Sequence, residues 1–190
     1  MKQYGLLCLL LAVTCAQLSS IARAQATSAP TTPAPTTPGA TKGLQTPPAA
    51  VDRLELNGPG GQHVTISAAD LQALPRKTLQ VHNAHTGAME TYQGVELSLL
   101  LARLNAPLEQ KLRGKALAMY VVAEGTDKYR ALYSLAEVDP AFHNGTVIVA
   151  DREGGQPITR DGPFKLVNTE DKRPARWVRN LASIQLSSIP

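Results

Sequence analysis

Apolar and polar positions alternate through Val51-Asp52-Arg53-Leu54-Glu55-Leu56, which puts the aliphatic side chains on one face, as in a half-buried strand. Asn57-Gly58-Pro59-Gly60-Gly61 then turns the chain, and His63-Val64-Thr65-Ile66 returns it as the second arm of a hairpin. Ser67, with Asp70 three residues on, predicts the capped start of a short helix that turns Leu71 and Leu74 inward and stops at Pro75. Thr78-Leu79-Gln80-Val81-His82 predicts a further strand. Thr91-Tyr92-Gln93-Gly94-Val95 leads into a helix where Leu97, Leu100, Leu101 and Leu104 recur at helical spacing.

Downstream, the two-residue period gives way to unbroken apolar runs. Residues 116–123 and Thr146-Val147-Ile148-Val149-Ala150 predict strands covered on both faces. Between them lie a short strand over residues 129–133 and a helix in residues 135–142 that ends near Asp139-Pro140. Arg152-Glu153-Gly154-Gly155 reads as a turn, and Phe164-Lys165-Leu166-Val167 and residues 181–186 supply the last strands. Strands dominate and the helices are short and scattered. The predicted class is α+β, with mixed sheets and no internal repeat.

The first fifty residues follow another logic. Lys2, the apolar residues 5–16 and Ala22-Arg23-Ala24 before Gln25 predict a secretory signal over residues 1–24, cleaved after Ala24. A bilayer needs ~20 apolar residues, so this stretch is too short to span one, and no transmembrane segment is expected in the mature protein. The competing arrangement is a lipid anchor at Cys15, behind Ala12-Val13-Thr14. Residues 25–50 are almost entirely Thr, Ala and Pro and predict an unstructured, semi-extended linker. The folded domain is then residues 51–190, in the periplasm or secreted. Cys8 and Cys15 are the only two cysteines. With both inside the signal, the exported chain can form no disulfide, zinc–thiolate site or cysteine nucleophile.

Charge removes one large class of function. The 190 residues carry 19 Lys and Arg against 15 Asp and Glu, formally +4. Lys2, Arg23 and Lys42 precede Val51, which leaves the folded part almost neutral and unable to grip a polyphosphate strand. Nucleic acid is not an expected partner. No heptad run or Gly-X-Y period supports a coiled coil or collagen.

Three clusters could carry chemistry. His82-Asn83-Ala84-His85 with Glu90 offers two imidazoles and a carboxylate to a divalent metal; the plain alternative is a polar loop at a strand end. Lys165, Lys172, Arg173, Arg176 and Arg179 surround Trp177. On a helical turn Arg176 and Arg179 would share a face and grip a phosphate or carboxylate; the alternative is a solvated surface paired with Glu170 and Asp171. Asp127-Lys128-Tyr129-Arg130 presents at most one of its Tyr and Arg side chains to any one pocket. The carboxylates of Asp151, Glu153 and Asp161 fall in predicted turns, where local hydrogen bonding is their usual work. Asn144-Gly145-Thr146 fits a glycosylation sequon. No Walker, Rossmann or G-x-S-x-G pattern occurs.

In order and spacing, several segments together resemble the oxidoreductase molybdopterin-binding domain, the catalytic-domain fold of the sulfite oxidase family. They are residues 66–75, 92–97 running into Leu100-Leu101, 125–130 and 151–157, then Gly162-Pro163-Phe164-Lys165-Leu166-Val167 and Arg176-Trp177-Val178-Arg179-Asn180-Leu181. The resemblance spans nearly all of residues 51–190. It implies mixed sheets with few helices and a cleft that holds a molybdenum pterin cofactor in active members. It also implies a metal-ligating cysteine on the strand after the Leu-Pro segment; the matching position here is about Val81, with His82 beside it. The family's arginine between the last strands corresponds to Lys165, and its C-terminal basic pair to Arg176 and Arg179.

From this follow the expected site residues: Lys165, Arg176, Arg179 and His82 as cofactor- or ligand-binding groups, with no catalytic residue and no metal ligand assigned. The expected function is an exported, non-redox module that binds a small anionic ligand, pterin or phosphate-bearing. Two other readings stand beside it. One is a genuine molybdopterin-dependent oxidoreductase; the other is a cell-envelope protein that uses the fold to meet a protein partner.

Overall fold

The computed structural model describes residues 52–189; the predicted signal and linker lie outside them. β1 (Arg53–Asn57) and β2 (His63–Ser67) form the predicted hairpin. β1 also pairs in parallel with β10 (Leu181–Ser188). β10 pairs with β5 (Met119–Gly125), and β5 with β6 (Arg130–Ser134), giving a first sheet in the order β2-β1-β10-β5-β6. The second sheet runs from β3 (Lys77–Asn83) to β4 (Ala88–Glu96) to β7 (Val147–Glu153). Its far edge is shared: β9 (Lys165–Asn168) pairs with the start of β7, and β8 (Gln156–Pro157) with its end.

The helices are as short as the sequence predicts. α1 (Ala68–Gln72) and α3 (Leu135–Val138) each open on a reciprocal capping box, Ser67 with Asp70 and Ser134 with Glu137. α2 (Leu97–Ala102) buries Leu97, Leu100 and Leu101 in the space between the sheets. There they meet Leu54, Val121 and Ile184 from the first sheet and Val95, Val149 and Leu166 from the second. The opposite face of the second sheet carries a smaller core of Val81, Tyr92, Ile148, Ala150 and Val167, roofed by Trp177 and Ile158. β7 alternates between these two cores, and its unbroken apolar sequence follows from that.

Residues 116–123 depart from expectation. A 3-10 turn, Gly114–Ala118, takes the first part of that run. β5 then alternates: Val121 and Ala123 are buried, Tyr120 and Val122 half-buried. Among the described residues no layer covers the outer face of the first sheet, so β5 is buried on one side only. The expected turn at residues 152–155 also tightens. β7 continues through Glu153, and Gly154 (φ 58) and Gly155 (φ 81) alone make the hairpin turn to β8, both in the left-handed region where glycine carries no Cβ penalty.

One irregularity positions the site. Gln93 pairs with Arg152 but Gly94 with Ala150, leaving Asp151 as an extra residue in β7. A bulge of this kind reverses the in–out phase of the strand beyond it. From Ile148 and Ala150, a regular strand would aim Arg152 at the second core. The bulge instead pairs Glu153 with Tyr92 on that face. Asp151 itself is buried and held by Arg76.

Candidate functional site

A cleft of about 870 Å³ opens where the second core reaches the surface. Its floor is Lys165, Tyr92 and Trp177; Glu90 and Glu153 stand on one wall, and Arg160, Asp161 and Arg179 also line it. The size suits a small organic ligand. Lys165 lies on β9 two residues before Val167 and therefore shares the second-core face. It is buried, an uncommon place for an ammonium without partners.

Its partners form a continuous polar chain. Lys165 Nζ donates to Tyr92 Oη at 2.9 Å and to Asp161 Oδ2 at 3.1 Å, and it lies 4.8 Å from the Tyr92 ring centroid. Asp161 Oδ1 is 3.8 Å from an Arg179 nitrogen. Tyr92 Oη sits 2.8 Å from Glu90 Oε2 and 3.1 Å from Glu153 Oε1. Asn83 Nδ2 donates to both Glu90 oxygens, at 2.9 and 3.0 Å, and Thr86 Oγ1 adds a bond of 2.9 Å. Trp177 donates its indole N–H to the Asn168 carbonyl at 3.1 Å and meets Tyr92 edge-on, centroids 5.9 Å apart.

Electrostatics divide the roles of these groups. Burial opposes charge at Glu90, but the hydrogen bonds from Asn83, Tyr92 and Thr86, with Lys165 nearby, outweigh it and hold the carboxyl below its usual value. Burial, the bond to Glu90 and the charges of Glu153 and Glu90 drive the Tyr92 phenol far above its ordinary value. Tyr92 is thus a fixed donor at neutral pH and not a base. A pH prediction follows. A carboxyl depressed in the folded state contributes stability above its unfolded value and loses it as pH falls through the folded one. Denaturant midpoints of the native chain are expected to drop from about pH 5 to pH 3, and those of Glu90→Gln to drop less steeply. Parallel slopes would show that Glu90 is not among the groups responsible.

The structure separates the four residues expected from sequence. Lys165 and Arg179 line the cleft together. Arg176 and Arg179 do not share a helical face, because the 3-10 turn Pro174–Arg176 ends there and the backbone at Trp177 is extended. Arg176 instead bonds Asp171 at 2.5 Å and Glu137 at 3.0 Å and covers the Tyr133 ring at 4.5 Å, clasping α3 to the segment after β9. His82 borders a smaller cavity with Val81, Asp171 and Trp177, while His85 borders the main cleft. The expected histidine–carboxylate cluster is therefore split, with Glu90 already enclosed by three donors. Among the described residues no three His, Cys, Asp or Glu side chains come together as a metal site. Reading the sequence alone missed Tyr92, Glu153 and Arg160. Glu90 and Tyr92, two apart on a strand, carried the one usable signal.

No family model matches the chain, and no curated protein does. Among solved structures, the sulfane dehydrogenase SoxCD from Paracoccus pantotrophus superposes with a TM-score of 0.54 at 18% identity. The match covers 72% of this chain and 39% of that one, so this chain spans well under half of its length. At that identity the likeness shows the fold: an α+β, molybdopterin-domain-like arrangement. The residues present do not fit a thiolate-bound molybdenum. Val81, at the expected ligand position, is an apolar side chain packed in the second core; it lines the smaller cavity and Lys165 the main cleft, with Trp177 bordering both. No cysteine occurs among the described residues. Nor is there a helix among them long and apolar enough to cross a membrane.

Proposed function

We propose that this chain is an exported, non-redox binding module of molybdopterin-domain-like fold, whose cleft takes a small ligand bearing a phosphate or similar anionic group. The observation that carries it is a pair of guanidinium groups in the lining that internal pairing leaves available, although Glu90, Asp127 and Glu153 keep the lining as a whole from being basic. Lys165 and Asp161 satisfy each other in the floor, whereas Arg179 is well exposed and only loosely near Asp161. Arg160, also exposed, has no carboxylate within ion-pair distance among the described residues. Guanidinium groups are suited to bidentate contact with phosphate or carboxylate, and these two have theirs free to make it. A phosphate-bearing pterin is one ligand of this chemistry. The non-redox part rests on Val81, which offers molybdenum no lone pair.

An NMR titration of the full chain with inorganic phosphate tests the binding claim. Saturable shifts are expected at residues 158–165 and 177–180, and they should vanish when Arg160 and Arg179 are both changed to Gln. Shifts confined to other surfaces would defeat the assignment. Stoichiometric molybdenum in protein recovered from an exporting host would defeat the non-redox reading.

A further inference from the structure

The cleft is not uniformly basic, and its acidic wall narrows the ligand. Tyr92 has one hydroxyl proton to give. Glu90 takes it at the shorter distance and has Asn83 and Thr86 as further donors. Glu153 is left with a 3.1 Å contact to the same oxygen and, among the described residues, no cation within 4 Å and no other donor. It nevertheless lines the cleft, presented there by the bulge at Asp151. Three groups separate it from Arg179 along the chain of contacts: Tyr92, Lys165 and Asp161. Lys165 and Asp161 offset each other and Glu90 is held by neutral donors, so the least satisfied charges are opposite ones at the two ends: Glu153, with no ion pair among the described residues, and Arg179, with only the 3.8 Å contact to Asp161.

We propose that the cleft selects a bipolar small molecule, with an ammonium or guanidinium seated on Glu153 and an anionic group on Arg179. This rests on the reading of the cleft as an anion site and specifies its ligand class. A ligand with an anion alone would leave Glu153 with only its share of the Tyr92 hydroxyl; one with both groups supplies a cationic donor as a charge-assisted hydrogen bond.

Isothermal titration of the full chain with propyl phosphate and with 3-aminopropyl phosphate tests this, because the two differ only in the terminal ammonium. The amino compound is expected to bind about tenfold tighter or more. In Glu153→Gln the ratio should fall to near one, with propyl phosphate gaining affinity as the repelling charge is removed. Equal binding of both by the native chain would overturn the bipolar proposal and leave the anion site standing. Binding of neither would overturn both. A preference for the amino compound that survives in Glu153→Gln would remove Glu153 from the role.

Discussion

Trp177→Ala is expected to lower the stability of the domain by about 3–5 kcal/mol, the usual range for truncating a buried aromatic side chain. The indole is 5% exposed and roofs the second core over Tyr92, Ile148 and Val167. Truncation also removes the edge-on contact with Tyr92 and leaves the Asn168 carbonyl without its indole donor. Urea titration at neutral pH measures the loss. A change below about 1 kcal/mol would show that the outer face of the second sheet gains little from this roof. The functional consequence is equally specific. Trp177 borders both cavities, so its removal joins the one beside Val81 to the one above Lys165. A phosphate bound at Arg179 should then be held less tightly, since the floor beneath Lys165 is no longer fixed.

Much of this scaffold was legible because local rules sufficed. The hairpin of β1 and β2, the capping box of α1 and the leucines of α2 each follow from residues within a few positions of one another. What alternation or its absence could not reveal was which faces the tertiary structure covers. Residues 116–123 and 146–150 look alike in sequence. Only the second run is sandwiched, because the second sheet has a core on each side and the first has one.

The site was legible in halves. Lys165 and Arg179 came from the basic cluster around Trp177 and again from the resemblance, and the structure places both in one cleft. Arg176 carries the same charge, yet Asp171, one of the local partners the sequence offered as the alternative, binds it together with Glu137 from α3, and only the second of these pairings has no neighbour in sequence to announce it. Glu153 was hidden for a different reason. Counting by twos from Ile148 points to Arg152, and the inserted Asp151 makes that count fail. Arg76, which holds the bulged carboxylate, lies 75 residues away. A site assembled by one irregular pairing is closed to any reading that assumes regular strands.

Gly94 is where that irregular pairing is most exposed to disruption. A Cβ there would lie 2.1 Å from the Val149 carbonyl oxygen and 2.6 Å from the Ala150 Cα. Both are backbone atoms of β7, and neither can rotate aside. Gly94→Ala is therefore expected to destabilise the domain by about 3 kcal/mol or more, through forced separation of β4 and β7 beside the bulge. The contrast is Gly145. Its Cβ would meet Glu170 Cγ at 2.4 Å, nearly as short, but this is an exposed side chain that can rotate away at the cost of its 3.0 Å contact with His143. Gly145→Ala should change stability by less than about 1 kcal/mol. Denaturant midpoints for the two variants, measured side by side, decide the matter. If both fold with unchanged midpoints, close approach of β4 to β7 is not what holds the bulge. If only Gly94→Ala is damaged, its surviving folded fraction should also lose the preference for an amino phosphate, because Tyr92 and Glu153 face each other only while those two strands keep their register.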